Sequence, residues 1–242
     1  MKWEDDGYYI KFDRFDSRNH KMIFSNETTY PSSSSDVAYV QALGLDGDIG
    51  VDNDRENAFD WDLEFYLADE TNIEKQARVL TRNLKQIHGI HNLYCSWDKD
   101  YFYQSWLNTE INVSEELKNF GKVILTFHVQ PFKIAILGTY PIEIKNGDHV
   151  ARHYTSTSYP LIHVVGTGDI TVNINEQKLI LTDIKDEVFV DSMYSVTYDK
   201  NKQNLGTHNH TFPFPVLTEY NEISWTGNVT KVELTARWCE PC

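Results

Sequence analysis

Only one stretch of this chain, "TNIEKQARVLTRNLKQIHG" at residues 71–89, repeats its apolar residues at helical spacing. Ile73, Ala77, Leu80, Leu84 and Ile87 recur three or four positions apart, which sets them on one stripe of a helix. Thr71 and Glu74 have the spacing of a capping box, and Gly89 stands where a helix C-cap would fall. The pattern predicts a helix over 72–88. Elsewhere the apolar residues alternate or run in short bursts, so strands must build the rest of the fold. Aromatic residues at 13% suit that reading, because rings pack well on a pleated sheet.

Before the helix, "DVAYVQAL" leads into "GLDGDIGVD", and the Asp46-Gly47 pair between them signals a hairpin turn. "AFDWDLEFYL" then places Phe59, Trp61, Leu63 and Phe65 on one face. After the helix come "NLYCSW", "YFYQSWL" and "GKVILTFHV", the last with Val123, Leu125, Phe127 and Val129 in register and Pro131 expected to close the strand. Residues 1–134 therefore read as an α+β domain, a sheet with one amphipathic helix laid on it. Residues 135–242 show no helical period. Short strands follow one another with Gly, Asn and Asp between them, the pattern of an antiparallel β-sandwich. Its last segment, "WTGNVTKVELTARW", turns at Gly227-Asn228 and then alternates Val232, Leu234, Ala236 and Trp238 with polar residues. Such patterning near a terminus implies that the final strand closes the core of its domain. Trp225 and Trp238 both fall within strand alternation and read as core.

The formal net charge is −14, from 36 acidic and 22 basic residues, so nonspecific attraction to nucleic acid or to an anionic membrane is disfavoured. Ten carboxylates lie between Asp46 and Glu70 against a single cation, Arg55. No apolar run approaches the roughly 18 residues a membrane span needs, and the N-terminus has no signal-peptide core. Three cysteines make no disulfide framework. The "CEPC" of Cys239–Cys242 lacks a following helix to stabilise a thiolate and reads as a frayed tail.

Chemistry is hard to place. The histidine pairs His88/His91, His149/His153 and His208/His210 have no third ligand set by spacing, so no metal is expected. The acidic segments lack the sixth-position glycine and twelfth-position glutamate of an EF-hand. There is no G-x-S-x-G and no P-loop, and Gly166-Thr167-Gly168 lacks the rest of a dinucleotide fingerprint. No cofactor and no catalytic residue are expected, and the chain does not read as an enzyme.

The C-terminal half, "GTGDITVNINEQKLILTDIKDEVFVDS" and then "FPFPVLTEYNEISWTGNVTKVELTARW", resembles the closing half of the distal tail proteins (Dit) of long-tailed siphophages. Gly168, Asp169, Asp191, Ser192, Pro215, Leu217, Asn221, Ile223, Gly227, Val232, Arg237 and Trp238 match that pattern. Upstream, the Gly44–Gly47 hairpin, the helix, Tyr101–Tyr103 and "LTFHVQPF" follow in the same order, so the resemblance runs from about Met22 to Trp238. It is a distributed pattern with no single diagnostic motif.

The resemblance implies a structural protein of phages or prophages of Gram-positive bacteria. Its N-terminal domain would close a homohexameric ring around a DNA channel, with a galectin-like sandwich projecting outward. The implied partners are other copies of itself, in one ring or two stacked rings, the major tail tube protein, the tape measure protein, a tail-associated lysin or fibre protein, and receptor-binding proteins. DNA would pass without specific binding, no membrane would be involved, and the location would be the virion tail tip after synthesis in the host cytoplasm. On that reading Asp46, Asp48, Asp52, Asp54, Glu56 and Asp60 are candidates to face the lumen. A carbohydrate-binding adhesion module of the tail tip is the alternative, although the sandwich has no room for an inserted sugar-binding module.

Overall fold

The computed structural model describes residues 7–25, 31–68, 73–108, 111–117 and 120–242. Thr71 of the expected capping box and Asp69 and Glu70 of the acidic run lie outside them. The chain divides into two units, Met1–Lys133 with Pro241–Cys242, and Ile134–Glu240. The domain expected over 135–242 thus gives its last two residues to the first unit. The "CEPC" segment is no frayed tail: Cys242 packs against the first unit's core, and its amide donates to the Pro131 carbonyl at 2.9 Å.

The first unit contains β1 (Ile10–Phe12), β2 (Phe15–Asp16), β3 (Met22–Phe24), β4 (Ser34–Gln41), β5 (Asp48–Asn57), β6 (Phe59–Ala68), α1 (Ile73–Leu84), β7 (His91–Cys95), β8 (Tyr101–Leu107), β9 (Asn112–Leu117) and β10 (Phe120–Ala135). Its main sheet runs β2-β1-β7-β8-β10-β6-β3, with β9 also on β10. Trp61, Leu63, Phe65 and Leu67 of β6 oppose Phe127, Leu125, Val123 and Gly121 of β10, so the alternation of both strands falls on one buried face. That sheet is curled. β1 and β10 are three places apart, about 14 Å in a flat sheet, yet the rings of Phe12 and Phe127 meet edge to face at 5.1 Å.

Helix α1 closes the first core with Ile73, Leu80 and Leu84. It ends four residues earlier than expected. Gln86 and Ile87 donate to the carbonyls of Asn83 and Leu84, three residues back, and this tighter turn keeps Ile87 buried beyond the helix. Ala77, on the expected stripe, is only half-buried. Gly89 does adopt the left-handed conformation (φ +89°), but in the loop after that turn rather than as the helix cap. Nor does Pro131 end its strand. β10 continues to Ala135, because a proline lacks only the donor, and the Pro131 carbonyl still finds a partner in Cys242.

The second unit is one curled sheet of β11 (Ile142–Ile144), β12 (Asp148–Ala151), β13 (Leu161–Ile174), β14 (Gln177–Ile184), β15 (Glu187–Asp191), β16 (Val196–Tyr198) and β17 (Tyr220–Thr235), and β18 (Cys239–Pro241) follows it. β13 and β17 pair antiparallel along nearly their whole length, and each takes different partners at its two ends. Two elements expected as separate strands on either side of Gly227-Asn228 are therefore one bent strand. Thr230 is the extra residue of a bulge between the Val165–Lys231 and Gly166–Val229 pairs. That insertion shifts the buried set of β17 from odd positions (Asn221, Ile223) to even ones (Val232, Leu234). Gly166 and Gly227 let the two strands cross closely at the bend. A Cβ at either would sit well inside 3.0 Å of the carbonyl of Asn228 or Asp169. Trp238 is buried, as expected, but Trp225 beside the bend is only half-buried, its backbone N–H and C=O both held by the Asn146 side chain.

Candidate functional site

The most unusual surface belongs to the β4–β5 hairpin. It forms a two-stranded sheet of its own, apart from the main sheet of its unit. The register Ala38–Val51 and Val40–Ile49 puts four apolar side chains on one face. In a covered hairpin those would be core. Here Val40, Ile49 and Val51 are 52%, 47% and 47% exposed, and Leu43 and Leu45 at the tip are exposed as well. The opposite face carries Val37, Tyr39, Gln41, Asp48, Gly50 and Asp52. A two-stranded ribbon with an uncovered apolar face gains little stability from its own pairing.

The acidic residues singled out in the sequence are distributed over two places. Asp46 is at the hairpin tip, and Asp48 and Asp52 share its polar face. Asp54 lies in the irregular stretch facing Ser35–Val37 with φ +53°, its amide held by Asp52 Oδ1 at 2.9 Å. Glu56 accepts from the Ser35 hydroxyl at 2.8 Å, and Arg55 is engaged with Asp36 at 2.7 Å. Asp60 belongs elsewhere, on the face of β6 opposite its core side chains, with Asp62 and Glu64. There each meets a β10 residue across the ladder: His128 at 2.7 Å, Thr126 at 2.5 Å and Lys122 at 2.7 Å. So Asp60 has a hydrogen-bond partner on β10, whereas Asp46, Asp48 and Asp52 have no cation beside them among the described residues.

The second unit has two polar constructions of its own. Arg237, held at φ +52°, forks onto the carboxylate of buried Asp191 at 2.7 and 2.9 Å, and that pairing raises the guanidinium pKa. Two residues of the family pattern thus meet across 46 positions. On the outer face, His163 stacks on Phe189 at 4.0 Å, and its nitrogens reach Glu233 at 2.8 Å and Glu187 at 2.7 Å. Lys231 beside Glu233 holds that carboxyl below its usual range, with His163 contributing.

The histidine pairs do not assemble ligands. His91 Nε2 contacts the His88 carbonyl, His208 and His210 are both tied to Thr182, and His149 bonds the Tyr220 hydroxyl. Among the described residues no three His, Cys, Asp or Glu side chains gather as a metal site. The cysteines are insulated from one another's chemistry. Burial pushes Cys95 well up and Cys242 to about 12, while Cys239 contacts the Ser158 hydroxyl and the Thr157 carbonyl, 81 and 82 positions away. Two concavities on the first unit are shallow surface grooves, one lined by Arg14, Phe15, His20, Asn83, Gln86 and Ile87, the other by Tyr9, Lys11, Tyr94, Ser96, Asp98 and Tyr101. The second is also lined by Cys95 and Lys99, but burial and the neighbouring Asp98 push the Cys95 thiol well up, away from the thiolate form.

Sequence reasoning missed the apolar face of the hairpin and the return of Cys242. The first had a signal in the alternation of "DVAYV" and "DIGV", but alternation does not say whether a face is covered. The second had none.

These features define a class: a mainly β protein of two units, one a curled sheet with a single helix and a projecting ribbon, the other a sandwich-like curled sheet. The chain has the fold of the SPP1 Dit protein (gp 19.1), described as a paradigm of the hub adsorption apparatus in phages infecting Gram-positive bacteria. The two align with a TM-score of 0.75 over 97% of this chain and 99% of that one, at 12% sequence identity. No protein-family model and no curated protein sequence matches this chain.

Proposed function

We propose that this chain is a distal tail hub protein, a structural component at the tail tip of a phage or prophage of a Gram-positive host. The observation that carries the proposal is the likeness to SPP1 Dit across nearly the full length of both chains. The fold, rather than any reactive cleft, is what they share, which fits a non-enzymatic role.

The chain assembles with further copies of itself into a hexameric ring, one or two stacked, that joins the tail tube protein to the host-recognition tip. The uncovered hairpin supports this: an apolar ribbon on every copy, meeting a different surface of the next, makes a heterologous contact that closes into a ring. The tape measure protein, a tail-associated lysin or fibre, and receptor-binding proteins are its other partners. Uncompensated Asp46, Asp48 and Asp52 suit a channel wall, because carboxylates repel passing phosphates whereas Lys or Arg would retain them.

Native mass spectrometry with negative-stain microscopy of the purified protein tests this. Six-fold rings are expected. A protein that stays monomeric at high concentration and in the presence of tail tube protein would sink the hub reading. Retention on host cell-wall polysaccharide by that monomer would favour the adhesion module instead.

A further inference from the structure

The hairpin has two roots, and they are held differently. β5 passes into β6 with only Ala58 between them, and Phe59 is already paired with Val129 of β10. That root is secured by ten consecutive ladder pairs between β6 and β10. Among the described residues, β4 has no such continuation in the main sheet. Its first residue, Ser34, pairs only with Asn57 of its own hairpin. The support comes from the other end of the sequence. The Ser33 amide donates to the Cys242 carbonyl at 3.2 Å, and the Cys242 amide donates to the Pro131 carbonyl at 2.9 Å. The Cys242 thiol reaches the Gln130 carbonyl at 3.6 Å, and its side chain packs on the core cluster.

We propose that Pro241–Cys242 is a strap that fixes the β4 root of the hairpin to β10 and so sets the direction in which the ribbon projects. Three observations converge. Cys242 bridges Ser33 and Pro131 through its own carbonyl oxygen and amide N–H, as a residue of an intervening strand would. Pro131 has no N–H, yet its carbonyl and that of Gln130 both accept from Cys242, and the Lys133 backbone meets the same thiol. The thiol is half-buried against the core and pushed up to about 12, the state of a packing group rather than a redox centre. A ribbon held at one root can swing about it; held at both, it cannot. The strap deepens the hub reading, since the ribbon it aims is the assembly arm only if that reading holds.

Hydrogen–deuterium exchange on the full chain separates the two ideas. Three variants are compared with the parent: a chain ending at Glu240, Cys242→Pro, which removes the amide donor, and Cys242→Ser, which keeps both backbone bonds. Losing one or two hydrogen bonds at a root raises local opening by about tenfold. Amides of residues 33–57 should therefore exchange about tenfold faster in the first two variants and within about twofold of the parent in the third. Amides of β13 and β17 should not change in any of them. Unchanged exchange over 33–57 in both the truncated chain and Cys242→Pro overturns the strap. Oligomeric state, read on the same samples by native mass spectrometry, reports on the arm alone. Faster exchange with weaker assembly supports both ideas, and faster exchange with unaltered assembly leaves the strap standing while removing the ribbon from the assembly interface.

Discussion

The β4–β5 hairpin and the β13–β17 pair follow one local rule and meet opposite environments. Both are long antiparallel pairings in which side chains of period two share a face, and both are interrupted by irregular register. In β13–β17, Ile162, Val164, Val232 and Leu234 are at most 1% exposed. In β4–β5 the equivalent face stands in solvent. The backbone pairing is similar; what differs is whether the same chain supplies a cover. Burying apolar area is worth about 25 cal/mol per Å², so the first pair draws stability from within its unit that the second, left in water, does not.

This contrast can be broken or sharpened by matched substitutions. The largest effect is expected at the glycines. Gly166→Val drives a branched side chain into the Asn228 carbonyl and should cost about 4 kcal/mol or leave the second unit unfolded. Gly50→Val in the hairpin meets only Val37 at 3.5 Å and Tyr39 at 3.8 Å and should change stability by about 0.5 kcal/mol or less. Denaturant melts of the two variants check this, and equal losses would erase the distinction. Next come the apolar faces. Leu234→Ala should cost about 3 kcal/mol through the cavity it leaves, against about 0.5 kcal/mol or less for Val40→Ala, whose effect should be on assembly measured by sedimentation.

Ion pairs rank third. Asp191→Ala strands a half-buried guanidinium and should cost about 2 kcal/mol in the same melts. Asp36→Ala, which frees a largely exposed Arg55, should cost about 0.5 kcal/mol or less. The smallest effect is chemical rather than energetic. With its thiol pushed up to about 12, Cys242 at the hairpin root is almost wholly protonated at pH 8, and native protein should react with a thiol reagent at least about a hundredfold more slowly there than unfolded protein does. Fast native labelling of Cys242, located by peptide mapping, would mean that the strap is open most of the time.

Much of this architecture is written in short-range pattern. Val123, Leu125, Phe127 and Val129 alternate and are all fully buried, the single helical stripe became the single α-helix, and the chain order of motifs anticipated the Dit-like fold. Period and turn chemistry are local properties, and a local reading recovers them. Of the misplaced details, the helix end was local, and the other two were decided by a distant segment. The helix ended early because its final turn tightened. β10 ran through Pro131 because Cys242, 111 positions on, took its carbonyl. β17 stayed one strand through Gly227 because Gly166 and Asp169 of β13 leave room for a bend but not for a side chain.

The candidate surface divides along the same line. Its residues and their alternation could be read from the sequence, as could the concentration of carboxylates from Asp46 onward. Which carboxylates find a partner across the ladder depended on β10: its His128, Thr126 and Lys122 meet Asp60, Asp62 and Glu64. Whether an apolar face is covered or exposed was also settled only in three dimensions, because alternation specifies two faces and is silent about what lies over either of them.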